Sequence, residues 1–256
     1  MNPIFLQEKN KHERDNHIIF DEGPHIYTID GDSNYTSVTT WNHSHFKHFN
    51  ADEVIQNMKL GKNWNENNKY WGMTDDEIKN LWKQNGNEEA GKGTKLHYDI
   101  ECYYNNIESK NDSIEWNYFM NFYEDHKKMI PYRTEWMVWD KDLKLAGSID
   151  MVFENEDGTL SIYDWKRCKE ISKTSWDFST TKCIEHIPDS RFWHYSLQLN
   201  TYKYLLEKNY NKKIKDMYLV KLHPNNKRKN YEKIKVADLS DEIEDLIFLR
   251  ENNLLK

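Results

Sequence analysis

Gly147-Ser148-Ile149-Asp150, followed fourteen positions later by Asp164-Trp165-Lys166, is the stretch that decides the fold of this chain. Between the two motifs the sequence is first apolar, then rich in turn-forming residues at 154–158, and then apolar again. This order predicts a β-hairpin with its turn near Asp157. In such a hairpin, Asp150 and Asp164 lie opposite each other or one pair apart.

Two carboxylates and a lysine therefore converge at one end of the predicted hairpin. Alternation along the second strand places Asp164 and Lys166 on one face, and Tyr163 and Trp165 on the other. Converging carboxylates favour a hard divalent cation, and a neighbouring ammonium group favours an anionic substrate. This pattern indicates a metal-dependent phosphodiesterase site. A solvent-exposed hairpin face with a surface ion pair fits the same three residues, so the rest of the chain has to decide between the two interpretations.

The composition is that of a globular protein. At 256 residues, 37% hydrophobic and 31% charged, the chain is long enough for one large domain or two small ones, and we predict one domain over residues 1–256. No apolar run reaches membrane-spanning length, and the polar N-terminus lacks a secretory signal, so we expect no membrane association. Cys102, Cys168 and Cys183 form neither a zinc or Fe–S ligand pattern nor a disulfide framework, which favours a reducing, intracellular compartment.

The formal net charge of −7 argues weakly against a nucleic-acid partner, because such proteins usually carry a basic surface. The charge is unevenly distributed, however. Residues 221–235 contain six basic residues and a single acidic residue, Glu232. An acidic centre is also expected in a nuclease that holds divalent cations. The charge therefore does not exclude DNA as a substrate.

The periodicity predicts helices over residues 51–60, 75–85, 88–105, 115–129, 192–208 and 239–250, and strands over 134–139, 143–153, 159–166, 215–222 and 231–236. Residues 25–31 and 34–39 are predicted to form a hairpin around an Asp-Gly turn. The fold class is therefore α/β (α+β), with a mixed central sheet flanked by helices. Within it we predict a helical and hairpin extension over 1–88, a core over 89–236 and a C-terminal helix over 237–256.

His97 and Glu135 are two further candidates for the site. His97 lies in Gly93-Thr-Lys-Leu-His97, which is predicted to open a helix, and Glu101 follows on the same helix face. A histidine at a helix start can bind a metal or a phosphate, although most such residues are ordinary surface histidines. A hairpin about Lys141 brings Glu135 opposite Gly147, where it either supports the metal site or is an exposed strand residue.

Gln198 and Tyr202 are spaced i,i+4 on the helix predicted over 192–208, so an amide and a phenol share one face. Together they can hold a phosphate group, whereas Tyr202 considered alone fits the hydrophobic core. Aromatic residues upstream, interleaved with basic residues, offer surfaces on which bases can stack, although most are expected in the core: Trp176, Phe192, Trp193 and Tyr195.

In this order, four motifs resemble the PD-(D/E)xK nuclease superfamily and, within it, the RecB-like exonuclease branch. They are Gly93-Thr-Lys-Leu-His97, Gly147-Ser-Ile-Asp150, Asp164-Trp-Lys166 and Gln198-Leu-Asn-Thr-Tyr202. The resemblance covers about residues 90–205 and implies a restriction-endonuclease-like core. The chain lacks the four cysteines that frame an Fe–S cluster in many of these enzymes. It is therefore similar to cluster-free members such as the mitochondrial genome maintenance exonucleases and phage recombination exonucleases.

The resemblance also implies a role for each site residue. Lys166 would orient or deprotonate the attacking water, and Glu135 would be a supporting acid. Four groups would hold one or two Mg²⁺ or Mn²⁺ ions: His97, Asp150, Asp164 and the backbone carbonyl of Trp165. Three residues would contact the substrate: Thr94, Gln198 and Tyr202. No Fe–S cluster is expected.

We accordingly expect a metal-dependent DNA exonuclease that acts on DNA ends in replication, repair or recombination. One alternative is a structure-specific endonuclease of the same superfamily. Another is a non-catalytic nucleic-acid-binding or recombination partner, which the intact Asp150, Asp164 and Lys166 disfavour. The polarity of cleavage, the preference for single-stranded DNA, double-stranded DNA or RNA, the oligomeric state and any protein partner remain open at this point.

Overall fold

A computed structural model describes residues 3–253 of the chain. By the density of contacts, the chain divides into two compact units, Met1–Lys47 with Leu96–Lys256 and, between these segments, His48–Lys95. The predicted single domain also includes residues 1–2 and 254–256, which lie outside the described part of the chain. A single nuclease domain over the whole length, and its division at residues 88 and 236, stay predictions.

The first unit is built around a six-stranded mixed sheet. A separate antiparallel hairpin precedes the sheet and consists of β1 (Ile18–Asp21) and β2 (Ile26–Ile29). The strands of the sheet are β3 (Thr36–Ser37), β4 (Ile130–Asp140), β5 (Leu145–Glu154), β6 (Leu160–Lys166), β7 (Ile214–Lys221) and β8 (Glu232–Lys235). The predicted fold class, a mixed central sheet flanked by helices, is confirmed.

β5 is the strand on which the rest of the sheet is assembled. β4 pairs antiparallel along one side of it. On the other side, β3 pairs in parallel with its first two residues, and β6 pairs antiparallel with its last four. β7 then lies parallel to β6, and β8 lies antiparallel to β7 at the edge of the sheet.

Helices cover both faces of this sheet. The helices of the first unit are α1 (Phe5–Lys9), α2 (Val38–His43), α5 (Ile114–Asp125), α6 (Arg191–Asn209) and α7 (Ser240–Glu251). The second unit contains α3 (Ala51–Leu60), and α4 (Asp75–Tyr104) runs from the second unit into the first. None of the described helices combines the length and the apolar character that crossing a bilayer requires.

The alternation of residues along β6 explains the two-sided core. Ile162 packs with α6 residues such as Leu199 and Tyr202 on one face of the sheet. Tyr163 and Trp165 pack on the other face, against α5 and the end of α4. Because successive strand residues point to opposite faces, Asp164 and Lys166 share the α6 side with Ile162. The predicted separation of Asp164 and Lys166 from Tyr163 and Trp165 is confirmed.

The hairpin predicted over residues 25–39 is wrong in its pairing. β2 pairs with the preceding segment, β1, and its inward residues Tyr27 and Ile29 pack against Trp139. The Asp30-Gly31 turn does form, with both residues at positive φ. The chain that leaves this turn forms one antiparallel bridge with β2, between Asp32 and Ile29, and then departs from it, because Thr36 and Ser37 pair in parallel with the start of β5.

The two helices predicted over 75–85 and 88–105 form one continuous helix, α4. The predicted break lies at Gly86-Asn87. Glycine lowers helix stability by only about 1 kcal/mol and does not remove a backbone hydrogen bond, so the helix continues through it. The correction also moves His97, which lies inside α4 and not at a helix start. Asn50 caps α3, and the Thr74 hydroxyl, directly before α4, accepts a hydrogen bond from the Glu77 amide.

Candidate active site

The candidate site lies where β5 and β6 separate. The β5–β6 ladder ends at the pair Met151–Tyr163, so the register places Asp150 opposite Asp164, as one of the two predicted arrangements has it. β3 pairs with β5 only as far as Ala146. Residues 147–150, which form the Gly-Ser-Ile-Asp motif, therefore have no ladder partner on this side of β5. The gap leaves room for side chains in the middle of the sheet.

The Asp150 side chain occupies this gap and binds β6, which is no longer paired with β5 at this point. Its Oδ2 accepts a hydrogen bond of 2.9 Å from the backbone amide of Trp165. The same oxygen lies 3.4 Å from Nδ1 of His97 on α4. One carboxylate thus joins β5, β6 and α4, and its side chain remains 13% exposed.

Glu135 reaches the same place from β4, by a register that differs from the predicted one. Gly147 pairs with Val138, and Glu135 falls between the pairs Thr134–Met151 and Trp136–Ile149, opposite Asp150. The prediction that Glu135 lies opposite Gly147 is therefore wrong. The β4–β5 turn spans residues 141–144, where Asp140 accepts a hydrogen bond from the Leu143 amide, so its centre lies beyond Lys141.

The backbone of Glu135 is itself unusual. Its φ of 41° is in the left-handed region, which non-glycine residues adopt rarely and at a cost. The carboxylate is held by the Ser148 hydroxyl, which donates a hydrogen bond of 2.7 Å to Oε2. His97, Glu135 and Asp150 each offer a ligand atom, and these atoms lie within 4.8 Å of one another. The structure thus brings together three of the predicted site residues.

Asp164 and Lys166 form a second, more deeply buried group. Lys166 Nζ lies 2.6 Å from Asp164 Oδ2, and the two side chains are 16% and 4% exposed. Lys166 Nζ also lies 4.4 Å from the centre of the Tyr195 ring on α6. Asp164 is not part of the His97–Glu135–Asp150 group and pairs with the lysine. The Trp165 side chain lies in the core between α4 and α5.

Two carboxyl groups of the site, those of Glu135 and Asp164, have raised pKa values, and burial is the main cause. Burial, and then repulsion from Asp150, raises the pKa of Glu135 to about 8. Burial raises the pKa of Asp164 to about 6, with Lys166 lowering it and Asp150 raising it further. Burial also disfavours the charged form of Lys166, yet the neighbouring Asp164 and Asp150 carboxylates raise its pKa overall. The site concentrates more negative charge than its own cations balance.

This donor set fits a divalent metal ion. Two carboxylates and one imidazole converge, and carboxylate oxygens are the ligands that Mg²⁺ and Mn²⁺ prefer. A bound cation would also offset the burial and the repulsion from Asp150 that raise the pKa of Glu135. His97, Glu135 and Asp150 would hold such an ion, with Asp164 and the Trp165 carbonyl as the further predicted ligands.

Gln198 and Tyr202 lie on α6 beside the Gly147 motif. Tyr202 is buried in the core, as the simpler interpretation expected. Its hydroxyl is 3.4 Å from Gln198 Nε2, which donates the hydrogen bond. A side chain on Gly147 would collide with the ring, since an added Cβ would lie 2.8 Å from both Cε1 and the hydroxyl oxygen of Tyr202. Glycine at position 147 is therefore what allows α6 to pack this closely on β5.

Two residues lie on α4 on either side of His97. Thr94 is exposed, belongs to the second unit and lies one helical turn before His97. Glu101 lies one turn after His97, and burial raises the pKa of its carboxyl to about 7. The i,i+4 spacing of His97 and Glu101 was visible in the sequence, but no role was assigned to Glu101. Its partial burial beside the other acids is the feature that the sequence did not reveal.

Comparison with known proteins places this site in a family. The sequence profile of the PD-(D/E)XK nuclease superfamily matches residues 47–251. The chain belongs to the PD-(D/E)XK nuclease superfamily.

Two solved structures are similar to the chain at low identity. A candidate exonuclease from Eubacterium rectale shares 12% identity at a TM-score of 0.40, over 86% of this chain and 79% of that one. The protein SSO0001 shares 16% identity at a TM-score of 0.34, over 96% of this chain and 84% of that one. No curated protein matches the chain.

We predict that Gly147→Ala destabilises the protein by about 1–3 kcal/mol, because the new methyl group overpacks the Tyr202 ring. The measurement is denaturant unfolding, alone and in a Tyr202→Leu background. In that background the cost of Gly147→Ala should fall, because the atoms that it meets are gone. Gly86→Ala is the matched control: an added Cβ has open space there, so the exposed helix should gain about 0.5–1 kcal/mol. Equal costs in both backgrounds would contradict this packing.

We predict that the metal-free protein loses thermal stability as pH rises from about 5 to about 8. A carboxyl group with a raised pKa binds its proton more tightly when folded, so its folded state is favoured at low pH and loses stability as pH rises through the ordinary pKa toward about 8. Glu135→Gln should reduce the loss of Tm over this pH interval by several degrees. Glu154→Gln, at the exposed end of β5, should leave that loss unchanged. Stabilisation by Mn²⁺ should grow over the same interval, and a pH-independent shift would contradict the assignment.

Proposed function

We propose that this protein is a metal-dependent deoxyribonuclease of the RecB-like, cluster-free type that hydrolyses phosphodiester bonds at DNA ends. The convergence of His97, Glu135 and Asp150 next to the buried Asp164–Lys166 pair is the observation that carries the proposal. Membership of the superfamily and the order of the four sequence motifs support it. Replication, repair and recombination are the processes in which such an activity would act.

Each residue has a role that follows from its place. His97, Asp150, Asp164 and the Trp165 carbonyl bind one or two Mg²⁺ or Mn²⁺ ions, and Glu135 supports them as a further acid. A bound divalent ion would neutralise charge on the phosphodiester and lower the pKa of the attacking water. Thr94, Gln198 and Tyr202 contact or position the substrate phosphate. For the buried Tyr202, this occurs through its contact with Gly147 and Gln198.

Lys166 orients the attacking water and stabilises the charge that develops on the phosphate. Its pairing with Asp164 defines its protonation state, because the carboxylate favours the ammonium form in the metal-free site. The ammonium group is therefore a hydrogen-bond donor and a positive charge. The Tyr195 ring, 4.4 Å from Nζ, holds it from the α6 side.

The alternatives differ in what the site does with DNA. A structure-specific endonuclease of the same superfamily would use the same residues on internal bonds. A non-catalytic DNA-binding partner is disfavoured because Asp150, Asp164 and Lys166 are all present. The free state of Cys102, Cys168 and Cys183 agrees with a reducing, intracellular compartment.

The test is cleavage of linear single- and double-stranded DNA, labelled at the 5′ or the 3′ end, together with a closed circle. Reactions contain Mg²⁺, Mn²⁺ or EDTA. We expect metal-dependent loss of the linear substrates, with the label revealing the polarity. Nicking of the circle would favour the endonuclease instead, and binding without cleavage under every condition would favour the non-catalytic partner.

We predict that Asp164→Asn and Lys166→Met each reduce cleavage by at least about a hundredfold, the range found for removal of a single charge-stabilising group. Asn is preferred to Ala at position 164, because both substitutions remove the carboxylate charge but the amide oxygen of Asn can still accept a hydrogen bond from the Lys166 ammonium group. Circular dichroism should show a folded protein in both cases. Lys215→Met, which removes an exposed lysine paired with Asp157, is the matched control and should retain activity.

A further inference from the structure

A row of basic side chains begins beside the proposed catalytic lysine and leads away from it. β7 is paired in parallel with β6, and Lys221 on β7 is the register partner of Lys166. Neighbouring strands are about 4.8 Å apart, and paired residues share a face of the sheet. The segment that follows β7, residues 222–231, therefore leaves the sheet one strand away from Lys166.

This segment is held in one conformation by a buried asparagine. Asn226 is 1% exposed, and its side-chain amide donates hydrogen bonds to the carbonyl oxygens of Lys221, at 3.0 Å, and Asn230, at 2.9 Å. Its backbone carbonyl accepts a hydrogen bond from the Lys229 amide. Asn230 in turn accepts a hydrogen bond from Asn121 on α5. These hydrogen bonds hold the backbone of the segment in place, and with it the side chains that the segment directs to solvent.

Those side chains are three consecutive cations, Lys227, Arg228 and Lys229, all of them exposed. The nearby Lys221 is neutralised, since it pairs with Glu232 at 2.9 Å. Lys227, Arg228 and Lys229 form no ion pair with any carboxylate in the described part of the chain, 3–253. Three adjacent uncompensated cations are unexpected in a protein with a net charge of −7, unless they meet an anion.

A groove passes Lys227 and Arg228, the first two of these cations. One hollow of ≈360 Å³ lies between Lys169, Lys221 and Lys227. It adjoins a second hollow of ≈680 Å³, lined by Lys227, Arg228 and Lys233, and the two share Lys227, Glu232 and Ile234. Glu170 and Glu232 are the acidic residues in the lining, and Glu232 is already paired with Lys221. The groove therefore forms a continuous, predominantly positive path along the β8 edge of the sheet.

We propose that the groove beside residues 222–231 binds the sugar–phosphate backbone of a single DNA strand next to the bond being cleaved. This inference rests on the proposed function, since the strand in the groove is the continuation of the substrate. A row of exposed cations fits a polymer with one negative charge per nucleotide better than it fits a single phosphate group. The contact is to the backbone, so it is independent of base sequence.

The experiment measures binding of a labelled single-stranded oligonucleotide by fluorescence anisotropy, in EDTA so that no cleavage occurs, over roughly 50 to 200 mM salt. The variant is Lys227→Ala/Arg228→Ala/Lys229→Ala. Each phosphate contact contributes about −0.7 to the slope of log K against log salt for a single strand, so three lost contacts should reduce the slope by about 2. The effect on cleavage, run with metal, should be greater for a long oligonucleotide than for a dinucleotide.

Two control variants accompany it. The charge-preserving variant Lys227→Arg/Arg228→Lys/Lys229→Arg should keep the wild-type slope. The variant Lys11→Ala/Lys92→Ala/Lys215→Ala removes the same total charge from lysines that are already ion-paired with Glu8, Glu88 and Asp157, and it should keep the slope too. Each single alanine variant should reduce the slope by about 0.7. The single variants replace the triple variant in the experiment if the triple variant folds poorly.

The outcomes separate this inference from the proposed function. A reduced slope in the alanine triple variant alone supports the groove. An unchanged slope, or an equal reduction in the ion-paired control, overturns it even when the wild type cleaves DNA with metal. A wild-type protein that neither cleaves nor binds DNA overturns the proposed function, and the groove assignment with it.

Discussion

The hydrogen bond from the Trp165 amide to the Asp150 carboxylate is the interaction on which the site depends. β5 and β6 are held together by backbone pairing only as far as Met151 and Tyr163. Beyond that point the Asp150 side chain, and not a backbone carbonyl, accepts the hydrogen bond from β6. A break in the middle of a sheet normally leaves buried backbone groups without partners, at a cost of several kcal/mol. Asp150 satisfies one of these groups and at the same time brings a negative charge to the point where α4 supplies His97. The strand separation therefore both creates the space for the site and fixes its central carboxylate.

The site is unfavourable for the stability of the metal-free fold. Glu135, Asp150 and Asp164 lie together, and the carboxyl groups of Glu135 and Asp164 have raised pKa values. Glu135 adds backbone strain, because its left-handed φ costs about 1–3 kcal/mol in a non-glycine residue. The surrounding structure opposes these costs with a core on each face of the sheet, of which the inward residues of β6 form part. Strain and charge repulsion of this kind are expected where a protein holds side chains ready for a ligand that it does not itself supply.

The sequence predicted the parts of the fold that local patterns determine. The strands β5 and β6, the helix α6 and the approach of Asp150 to Asp164 follow from alternation, from a turn-forming run and from an apolar periodicity. The errors arose where contacts between segments distant in sequence determine the strand pairing. The partner of β2 is set by packing against Trp139, and the pairing of residues 36–37 is set by β5. The position of Glu135 depended on the length of the β4–β5 turn, and a shift of three residues moved it from Gly147 to Asp150. The burial of Glu101 depends on tertiary contacts that no local pattern contains.

The proposed groove at the sheet edge would allow an acidic protein to act on an acidic polymer. Carboxylates are concentrated where β5 and β6 separate, and uncompensated cations are concentrated beyond β7, on a segment that Asn226 holds in place. Charges separated by more than about 8–10 Å are largely screened at physiological salt, so the two groups act locally, and the net charge of the chain is a poor guide to either. A DNA strand lying across β7 and β8 would contact the cations through its sugar–phosphate backbone. One of its phosphates would then lie at the carboxylates that are proposed to bind metal. The cations are carried by the segment that connects β7 to β8, and the hydrogen bonds of Asn226 to the carbonyl oxygens of Lys221 and Asn230 fix that segment to the sheet that carries the carboxylates.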